Sequence, residues 1–369
     1  MVQIENLIEK TPSFKQITAD LQPKNHQLIT GISGSARTEL LSALSKEGRR
    51  PILVVTDTIS HMQELASDLE NLLPANRVYQ FPVEEVLAAE VATSSPNYRL
   101  QRVLALNALI NNEPAVVVAS AAGLRRNIIS PEYFAQSSLK IKTGGEVDPA
   151  KIRQQLSAMG YQYQKMVLRP GDFAIRGSII DIYALNTDNP VRIDLFDTEV
   201  DSLRYFDAST QRSIDNVEEV QILPATDFII PATEFSRVYE ALDTEYKKVV
   251  KELSADDADI KQQVANRFEP LLNALKNQHL PNELLEFSNL VYPAKHSLFD
   301  YLPDDGTIYF DDLTRIKQFA KQMTQEDAGW FKDKVAHHQL TAIPDLSNDV
   351  SAIIKKDLHP QIYGALFKK

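Results

Sequence analysis

Cysteine is absent from all 369 residues of this sequence. Its absence excludes disulfide bonds, thiolate metal sites and a cysteine nucleophile. Long apolar runs are absent too, because runs such as residues 52–55 and 115–119 are far shorter than the ~20 residues that a membrane-spanning helix needs. Residues 1–10 do not form a basic and then apolar leader, so we expect a cytoplasmic protein that has no membrane segment.

A surplus of positive charge is also lacking. The chain has 39 lysines and arginines against 50 aspartates and glutamates, which gives a net charge of −11. Proteins that grip the DNA backbone usually carry a basic surplus, because neutralising phosphates supplies much of their affinity. The composition therefore favours a protein partner over direct binding of DNA, although a local basic patch stays open.

The chain has the composition of a globular protein, with 43% hydrophobic and 24% charged residues. Its length exceeds one ordinary hydrophobic core, so two or three domains are expected. Near the N-terminus, short β-branched runs alternate with amphipathic helical stretches, which predicts a parallel sheet with helices on both faces. The predicted strands are 27–30, 52–56, 78–81 and 116–120, and the helices are 59–73 and 99–110.

The pattern changes near residue 137. Strands there cluster around a single helix at 149–159, which predicts a small α+β insert with a mostly antiparallel sheet. We therefore predict one α/β domain, interrupted by an insert at 135–224. The domain comprises residues 1–130 and 225–369, and the second part holds a helical subdomain and a returning strand at 306–312. The predicted strands of the insert are 139–142, 172–183, 191–196 and 202–206.

The segment GISGSART, residues 31–38, follows a predicted strand and opens a predicted helix. A phosphate-binding loop has this context and the pattern G-x-x-x-x-G-K-[ST]. Gly31, Gly34 and Thr38 fit such a loop, but Ala36 stands where the second glycine belongs and Arg37 where the lysine belongs. A Cβ at 36 crowds backbone that must approach phosphate, and a planar guanidinium does not fit the slot of an ammonium. The sequence predicts a degenerate nucleotide loop.

Three interpretations of this loop stay open. They are ATP hydrolysis, anion binding without hydrolysis, and a plain strand–turn–helix whose N-terminus is capped by Ser33 or Ser35. A second remnant argues against hydrolysis, because Asp311 and Asp312 end a predicted strand where nucleotide-driven motors hold an Asp for magnesium and a Glu for water. The alternative for these two residues is a solvated turn.

No metal site is predicted. His337 and His338 are adjacent, so on a helix they point ~100° apart and make a poor pair of ligands. We expect no resident metal or cofactor in this chain.

Three stretches resemble the nucleotide excision repair protein UvrB. HSLFDYLPDDGTIYFDD, residues 296–312, is similar to its motif II region, and residues 169–207, RPGDFAIRGSIIDIYALNTDNPVRIDLFDTEVDSLRYFD, are similar to its second domain. GISGSARTEL, residues 31–40, takes the place of its phosphate loop. The best match is the N-terminal UvrB-like module of the bacterial transcription-repair coupling factors (Mfd), in which this loop is characteristically degenerate. SSPNYRLQRVLALNALI, residues 94–110, also resembles that family.

The resemblance implies a fold and also shows two departures from UvrB. The implied fold is a P-loop NTPase-like parallel sheet, as in helicases and the first UvrB domain, interrupted by a small domain like the second UvrB domain. Residues 81–99 are a short segment with a single tyrosine, Tyr98, whereas UvrB carries there a long tyrosine-rich hairpin that probes DNA. The sequence also stops at Lys369 without a second motor lobe. We expect an N-terminal fragment of a longer protein.

The strand period of two singles out one face of the insert. Val191, Ile193 and Leu195 point one way, and Arg192, Asp194 and Phe196 point the other. A phenylalanine on a charged face is unusual. If residues 172–183 are one strand, Arg176 lies on the same side as Ala174 and Ser178, opposite Phe173, Ile175, Gly177 and Ile179.

Arg176 is then a candidate neighbour of Arg192 and Phe196 if the two strands pair across a turn at 186–190. Exposed arginine and aromatic side chains are enriched at interface hot spots. The alternative is that the arginines pair with Asp181 and Asp194 while Phe196 packs under a loop. The resemblance implies the former, because these three positions match the family residues that bind the repair protein UvrA.

The resemblance also implies the function and the partners. It predicts a catalytically inactive platform that recruits UvrA to RNA polymerase stalled at DNA lesions. ATP, magnesium, polymerase and DNA would be handled by other domains of a parent translocase. Two alternatives stay open: an active UvrB-like ATPase that verifies damage, and an autoinhibitory module that docks on the motor or C-terminal domains of its own parent.

Overall fold

The computed structural model describes residues 8–48, 50–86, 95–254, 257–337, 339–340 and 342–365. The chain divides into two compact units. The first unit comprises Met1–Ile128, Ala294–Asp333 and Ile343–Lys369, and the second comprises Ile129–Pro293 and Lys334–Ala342.

Strands are numbered along the chain, and most of them lie where the sequence pattern places them. The strands are β1 His26–Thr30, β2 Ile52–Thr56, β3 Val78–Phe81, β4 Val116–Ser120, β5 Leu139–Lys142, β6 Gln162–Tyr163, β7 Asp172–Arg176, β8 Ile179–Ile182, β9 Val191–Phe196, β10 Glu199–Phe206, β11 Ser213–Val217, β12 Glu219–Ile222, β13 Thr307–Asp311 and β14 Gln361–Ala365.

Helices are numbered in the same way. They are α1 Pro12–Ala19, α2 Ser35–Gly48, α3 Ile59–Glu70, α4 Pro96–Ile110, α5 Ala121–Arg125, α6 Pro131–Gln136, α7 Pro149–Ala158, α8 Phe235–Glu252, α9 Ala258–Lys276, α10 Ser288–Val291, α11 Leu313–Ala336 and α12 Val350–Lys356, with short 3-10 helices at Ala75–Arg77, Ala232–Glu234, Asn282–Phe287 and Leu298–Tyr301.

The first unit contains a six-stranded sheet in the order β1-β14-β13-β2-β4-β3. Every neighbouring pair of strands is parallel. β2 and β4 are buried along their whole length, because their apolar β-branched side chains alternate between two covered faces. The predicted parallel sheet with helices on both faces is confirmed.

One face of this sheet shares a core with α2 and α3. Thr58 begins α3, because its side chain accepts a hydrogen bond from the amide of His61 at 3.2 Å. The apolar stripe that the sequence predicted for α3 then faces the sheet. The core residues from these elements include Leu41, Leu44, Val54, Met62, Leu65, Leu69, Val78 and Val118.

β14 was not predicted from the sequence. It is inserted between β1 and β13, and its Gly364 packs against the ring of Tyr309, where an added Cβ would lie 2.1 Å from the hydroxyl oxygen. The local sequence QIYGA is short and contains a glycine, which weakens a strand pattern. The strand forms because both of its edges find parallel partners.

The second unit contains the predicted α+β insert. A six-stranded sheet has the order β11-β10-β9-β8-β7-β6, and a separate antiparallel pair joins β5 to β12. Only β6 and β7 are parallel among its neighbouring strands. The sheet is therefore mostly antiparallel, as predicted, and α7 covers the predicted single helix. The apolar face of the sheet forms a core with Ile152 and Leu156 of α7. The sheet residues in this core include Phe173, Ile180, Ile182, Val191, Ile193 and Leu203.

The predicted single strand at 172–183 is wrong. The chain reverses at Gly177 and Ser178, so that β7 and β8 form a hairpin in which Arg176 pairs with Ile179. Gly177 has φ +61°, a left-handed conformation that favours glycine. The reversal changes the face of every residue that follows, because a two-residue turn resets the alternation. Ile179 and Asp181 therefore share the face of Arg176.

The grouping into units differs from the expected division at residue 225. The helical segment with α8 and α9 belongs to the same unit as the insert sheet. The segment closes on itself: the Tyr292 hydroxyl donates to the Ile229 carbonyl at 2.8 Å, and Arg237 donates to the carbonyls of Leu290 and Val291 at 2.9 and 2.8 Å. Backbone bonding of Ala225 to the Met159 carbonyl, at 2.8 Å, ties its start to the end of α7.

Candidate functional site

Asp181 holds both candidate arginines of the insert sheet. It lies opposite Arg192 in the β8–β9 pair and is fully buried. Arg192 Nε donates to Asp181 Oδ1 at 2.6 Å, and Arg192 Nη2 donates to Oδ2 at 2.9 Å, a bidentate geometry that strengthens the ion pair. Arg176 Nη2 donates to the same Oδ2. One carboxylate therefore gathers two guanidinium groups on one face of the sheet.

Arg192 is enclosed by its neighbours. Its guanidinium carbon lies 4.3 Å from the ring centroid of Phe206, a cation–π contact, and Nη2 also donates to Gln211 Oε1 at 3.1 Å. Only 14% of its side chain is exposed. The hydrogen bond to Asp181 raises the pKa of Arg192 further above its ordinary value. Arg192 is thus a charged side chain that lies largely enclosed beneath the surface.

A tight turn presents Gln211 to Arg192. Asp207 Oδ1 accepts from the amides of Ser209 and Thr210, at 3.0 and 2.6 Å, and the Gln211 amide donates to the Asp207 carbonyl at 2.8 Å. Hydrogen bonds from the Ser209 hydroxyl and then from Thr210 lower the pKa of Asp207 to about 2. Gln211 itself has φ +60°. The Asp207 carboxylate is therefore ionised at neutral pH and holds the turn through these hydrogen bonds.

Arg176 and Phe196 are the open residues of this face. Arg176 ends β7, and 47% of its side chain is exposed despite its bond to Asp181. Phe196 ends β9 beside the turn at Asp197 and Thr198, and it is 78% exposed. We call Arg176, Asp181, Arg192 and Phe196 the arginine–phenylalanine surface.

The second sequence interpretation holds in part. The arginines pair with Asp181, as the second interpretation expected, but Asp194 pairs with Arg204. Phe196 does not pack under a loop, because most of its surface is open to solvent. Sequence reasoning missed Phe206 and Gln211. Phe206 carried a detectable signal, because it is an aromatic residue at the end of the strand that pairs with β9.

The degenerate loop lies at the carboxyl end of the parallel sheet in the first unit. Gly31 and Gly34 have φ of +79° and +54°, and Ala36, Arg37 and Thr38 lie in the first turn of α2. The carbonyl oxygen of Gly34 accepts from the amides of Arg37 and Thr38, at 3.1 and 3.3 Å. The Thr38 hydroxyl donates to the same oxygen at 3.4 Å. These bonds close the first turn of α2.

The two remnants meet in the structure. Arg37 Nη1 donates to Asp311 Oδ2 at 2.5 Å, and 18% and 24% of the two side chains are exposed. Burial raises the pKa of Asp311 above its ordinary value, and the charge and hydrogen bond of Arg37 oppose that shift. An arginine of the first motif therefore binds the aspartate of the second.

A second carboxylate lies at the same end of the sheet. Asp57 follows β2, the neighbour of β13, and its side chain is 8% exposed. Its Oδ2 is 2.6 Å from Arg315 Nη2, and its Oδ1 is 2.5 Å from His61 Nδ1. Asp57 is thus also paired within the protein.

Asp312 has a structural role. It has φ +63°, its amide donates to the Gly364 carbonyl at 3.1 Å, and its Oδ1 accepts from the amide of Arg315 at 3.2 Å. Its backbone carbonyl accepts from the amide of Ile316 at 3.1 Å. The residue therefore caps α11, as a helix-terminal aspartate does. This arrangement agrees with the interpretation of Asp312 as a turn residue.

The residues of this loop do not fit a magnesium nucleotide. Such a ligand needs a lysine on the phosphates, and a hydroxyl and an Asp on the metal. Here Asp311 binds Arg37, and the Thr38 hydroxyl is directed at the Gly34 carbonyl. A metal site elsewhere has no support among the described residues, where no group of three or more His, Cys, Asp or Glu side chains could hold an ion. His338 lies outside those residues.

Membrane insertion was tested on the helices that the structure describes. None of them is long and apolar enough to span a bilayer.

Comparison with known proteins matches residues 139–228 to the UvrB interaction domain. The chain is 34% identical, over 370 aligned residues, to the transcription-repair-coupling factor of Bacillus subtilis (strain 168), and the match covers 100% of this chain and 31% of the relative. It is 30% identical to the Staphylococcus haemolyticus protein of the same description, over 88% of this chain and 27% of the relative. A Staphylococcus aureus relative is 28% identical. The chain spans about a third of the length of these relatives.

Proposed function

We propose that this chain, which corresponds to the N-terminal UvrB-like module of the transcription-repair-coupling factors, is the part of such a factor that recruits UvrA. The names of the relatives link transcription to DNA repair. A module that binds UvrA would bring the first protein of excision repair to a polymerase that has stalled at a lesion. The proposed role of this chain is binding, and the catalytic steps belong to other domains of the factor and to its partners.

The observation that carries the proposal is the exposed Phe196 on the same face of the insert sheet as the exposed Arg176, within the segment that matches the UvrB interaction domain. A partner that covers an aromatic side chain exposed to 78% removes apolar surface from water, and this burial stabilises the complex. The arginine on the same face supplies a charge that orients the partner. Aromatic and arginine side chains are the types that dominate interface energetics.

Asp181 supports the same proposal from below. Its carboxylate is fully buried and holds both guanidinium groups, so the arginines lose little conformational freedom when a partner binds. Preorganised side chains reduce the entropic cost of association. The supporting contacts of Gln211 and Phe206 have the same effect on Arg192.

We further propose that the motor lies outside this chain. The chain covers 31% of the Bacillus subtilis relative. ATP and magnesium would serve a translocase in the remaining part, which would also contact polymerase and DNA. The chain itself is proposed to be catalytically inactive, because its nucleotide loop lacks the required lysine and its acidic motif lacks the glutamate.

Calorimetry with purified UvrA tests the recruitment. We expect a dissociation constant on the order of 1 µM, as for transient signalling contacts. Substituting Arg176, Arg192 or Phe196 with alanine is expected to weaken binding by about 1–3 kcal/mol each, the hot-spot range. Unchanged binding in all three variants, with their folding intact, would refute the assignment of the surface.

Two further experiments, an assay of nucleotide turnover and a competition for UvrA, separate the alternatives. An active UvrB-like ATPase predicts nucleotide turnover by this chain, and measurable turnover in the wild-type protein would contradict the proposed inactivity. An autoinhibitory module predicts that the remaining part of the factor, added as a separate chain, competes with UvrA. Competition that is lost in Phe196→Ala would show that the two partners share the arginine–phenylalanine surface.

A further inference from the structure

We infer that Arg37 is an internal counter-ion that closes the former nucleotide site of the first unit. Its guanidinium lies beside Asp311, where the metal of a bound nucleotide would be needed. The inference deepens the proposed inactivity of this chain and does not depend on UvrA binding. The Arg37–Asp311 ion pair closes the loop, and a magnesium nucleotide must break this ion pair in order to bind.

The placement of the carboxylates makes a counter-ion necessary. Asp57 and Asp311 follow β2 and β13, two neighbouring parallel strands, so both lie at the same end of the sheet. Asp57 is one of the charges that raise the pKa of Asp311, after burial as the main cause. Two carboxylates that are largely buried repel each other, and each therefore needs a cation nearby.

Each carboxylate has its own arginine. Arg37 comes from the first turn of α2, and Arg315 comes from the first turn of α11. The pair Arg37–Asp311 therefore joins the loop helix to the end of β13, and the pair Arg315–Asp57 joins α11 to the end of β2. The two pairs neutralise the end of the sheet at which nucleotide folds bind their ligand.

Arg37 directs one of its donors, Nη1, at Asp311. Arg37 Nε is buried and has no hydrogen-bond partner among the described atoms, although Nη1 is fully engaged by Asp311. A guanidinium placed for phosphate recognition would direct several donors into an open loop. Here one donor is left without an acceptor so that another can reach the carboxylate.

Lysine would not make the same closure. The guanidinium is a rigid fork with several donors, whereas the lysine ammonium is a strongly hydrated point charge on a flexible stem. Open space lies beside the loop backbone at two points, since a Cβ added at Gly31 or Gly34 would meet no atom within 4 Å. The closure therefore depends on the Arg37 side chain and not on a collapsed loop.

Nucleotide binding tests the inference directly. The probe is a fluorescent ATP analogue with magnesium, titrated into the full chain. We expect no saturable binding by the wild type and saturable binding by Ala36→Gly/Arg37→Lys, which restores the glycine and the lysine. Arg315→Met is the matched control, because it breaks the neighbouring pair with Asp57 but leaves Asp311 closed, and it is expected to gain no binding.

A double-mutant cycle tests the ion pair without any ligand. Arg37→Met, Asp311→Asn and the double variant are compared with the wild type by urea unfolding. Each single variant is expected to lower the unfolding midpoint, and the double variant to lower it by clearly less than the sum. If Arg37→Met does not fold, the uncharged Arg37→Gln replaces it in the same cycle.

Two results would overturn the inference. One is binding of the analogue by the wild type as tightly as by Ala36→Gly/Arg37→Lys, and the other is strict additivity in the cycle. UvrA binding is measured on the same proteins and is expected to be unchanged in Ala36→Gly/Arg37→Lys. A failure of the closure is therefore distinguishable from a failure of the proposed recruitment.

Discussion

Arg192 and Asp181 face each other across β8 and β9 and share two hydrogen bonds, of 2.6 and 2.9 Å. Asp181 also binds Arg176, which reaches it from the adjacent hairpin strand. The arginine–phenylalanine surface is therefore built in two layers, a buried carboxylate below and exposed cationic and aromatic groups above. This arrangement separates the exposed residues from the buried residue that positions them.

Phe196→Ala is expected to weaken UvrA binding by about 1–3 kcal/mol, because a hot-spot aromatic loses its contact area. The free energy of unfolding is expected to change by less than about 0.5 kcal/mol, since exposed positions contribute little to folding. Calorimetry with UvrA and urea unfolding of the free chain measure the two effects. Leu168→Ala, at a residue that is 55% exposed in the same unit, is the matched control and should leave binding unchanged.

Arg192→Ala and Arg176→Ala are expected to differ in stability although both weaken UvrA binding. Removing Arg192 leaves the buried Asp181 with one partner, which is expected to cost about 2 kcal/mol of folding stability. Removing Arg176, whose side chain is 47% exposed, is expected to cost less than about 1 kcal/mol. Urea unfolding compares the two variants, with the exposed Arg169→Ala as the control. Equal losses would contradict the two-layer arrangement.

Gly177→Ala is expected to destabilise the second unit by about 1 kcal/mol, because alanine is strained in the left-handed conformation. The space around this glycine is open, so sterics do not add to the effect. Gly329→Ala is the matched control: it lies within α11 and also has open space, but it is not left-handed. It should be neutral or stabilise by up to about 1 kcal/mol. Scanning calorimetry measures both, and a stabilised Gly177→Ala would exclude strain at the hairpin.

His359 is expected to make the stability of the first unit depend on pH. Burial lowers its pKa, but the hydrogen bond and charge of Asp357, together with the Leu302 carbonyl and Asp304, raise the pKa above its ordinary value in the folded state. His359 Nδ1 lies 2.7 Å from Asp357 Oδ1. A raised folded pKa means that the stabilisation is fully present below the unfolded pKa of ~6.5 and is lost as pH rises through the folded pKa.

Thermal unfolding between about pH 5.5 and pH 8.5 measures this dependence around the histidine range. The difference in Tm between the wild type and His359→Gln is expected to shrink as the pH rises. His279→Gln, at an exposed histidine of the second unit, is the control. A difference that grows with pH would show that the sign of the shift is wrong.

Local patterns were sufficient for the strands of the parallel sheet other than β14. The apolar β-branched runs of β2 and β4 and the stripe of α3 predicted a parallel sheet, because burial on both faces leaves that signature in the sequence. The hairpin of β7 and β8 was missed, because the alternation of FAIRGSIIDIY fits one long strand equally well. Only the conformation of Gly177 divides it. β14 was missed for a related reason, since a short strand with a glycine is recognisable mainly by its partners.

The sequence singled out Arg176, Arg192 and Phe196 and offered Asp181 as a pairing partner, but it did not show the two layers. Period two placed Arg192 and Phe196 on one face, which the structure shows. It could not tell that Arg192 is enclosed and Phe196 open, because that depends on Phe206 and Gln211 from β10 and the following turn. The role of these residues in binding UvrA stays a prediction.

The sequence by itself determined the absence of thiol chemistry, the periods of the strands and helices, and the two substitutions at Ala36 and Arg37. The tertiary structure alone decided what Arg37 does, because its partner Asp311 lies 274 positions away and reaches it only when β13 enters the parallel sheet. Periodicity reports which face of an element is buried. The pairing of charges between distant elements depends on strand order and register, and no local pattern contains these.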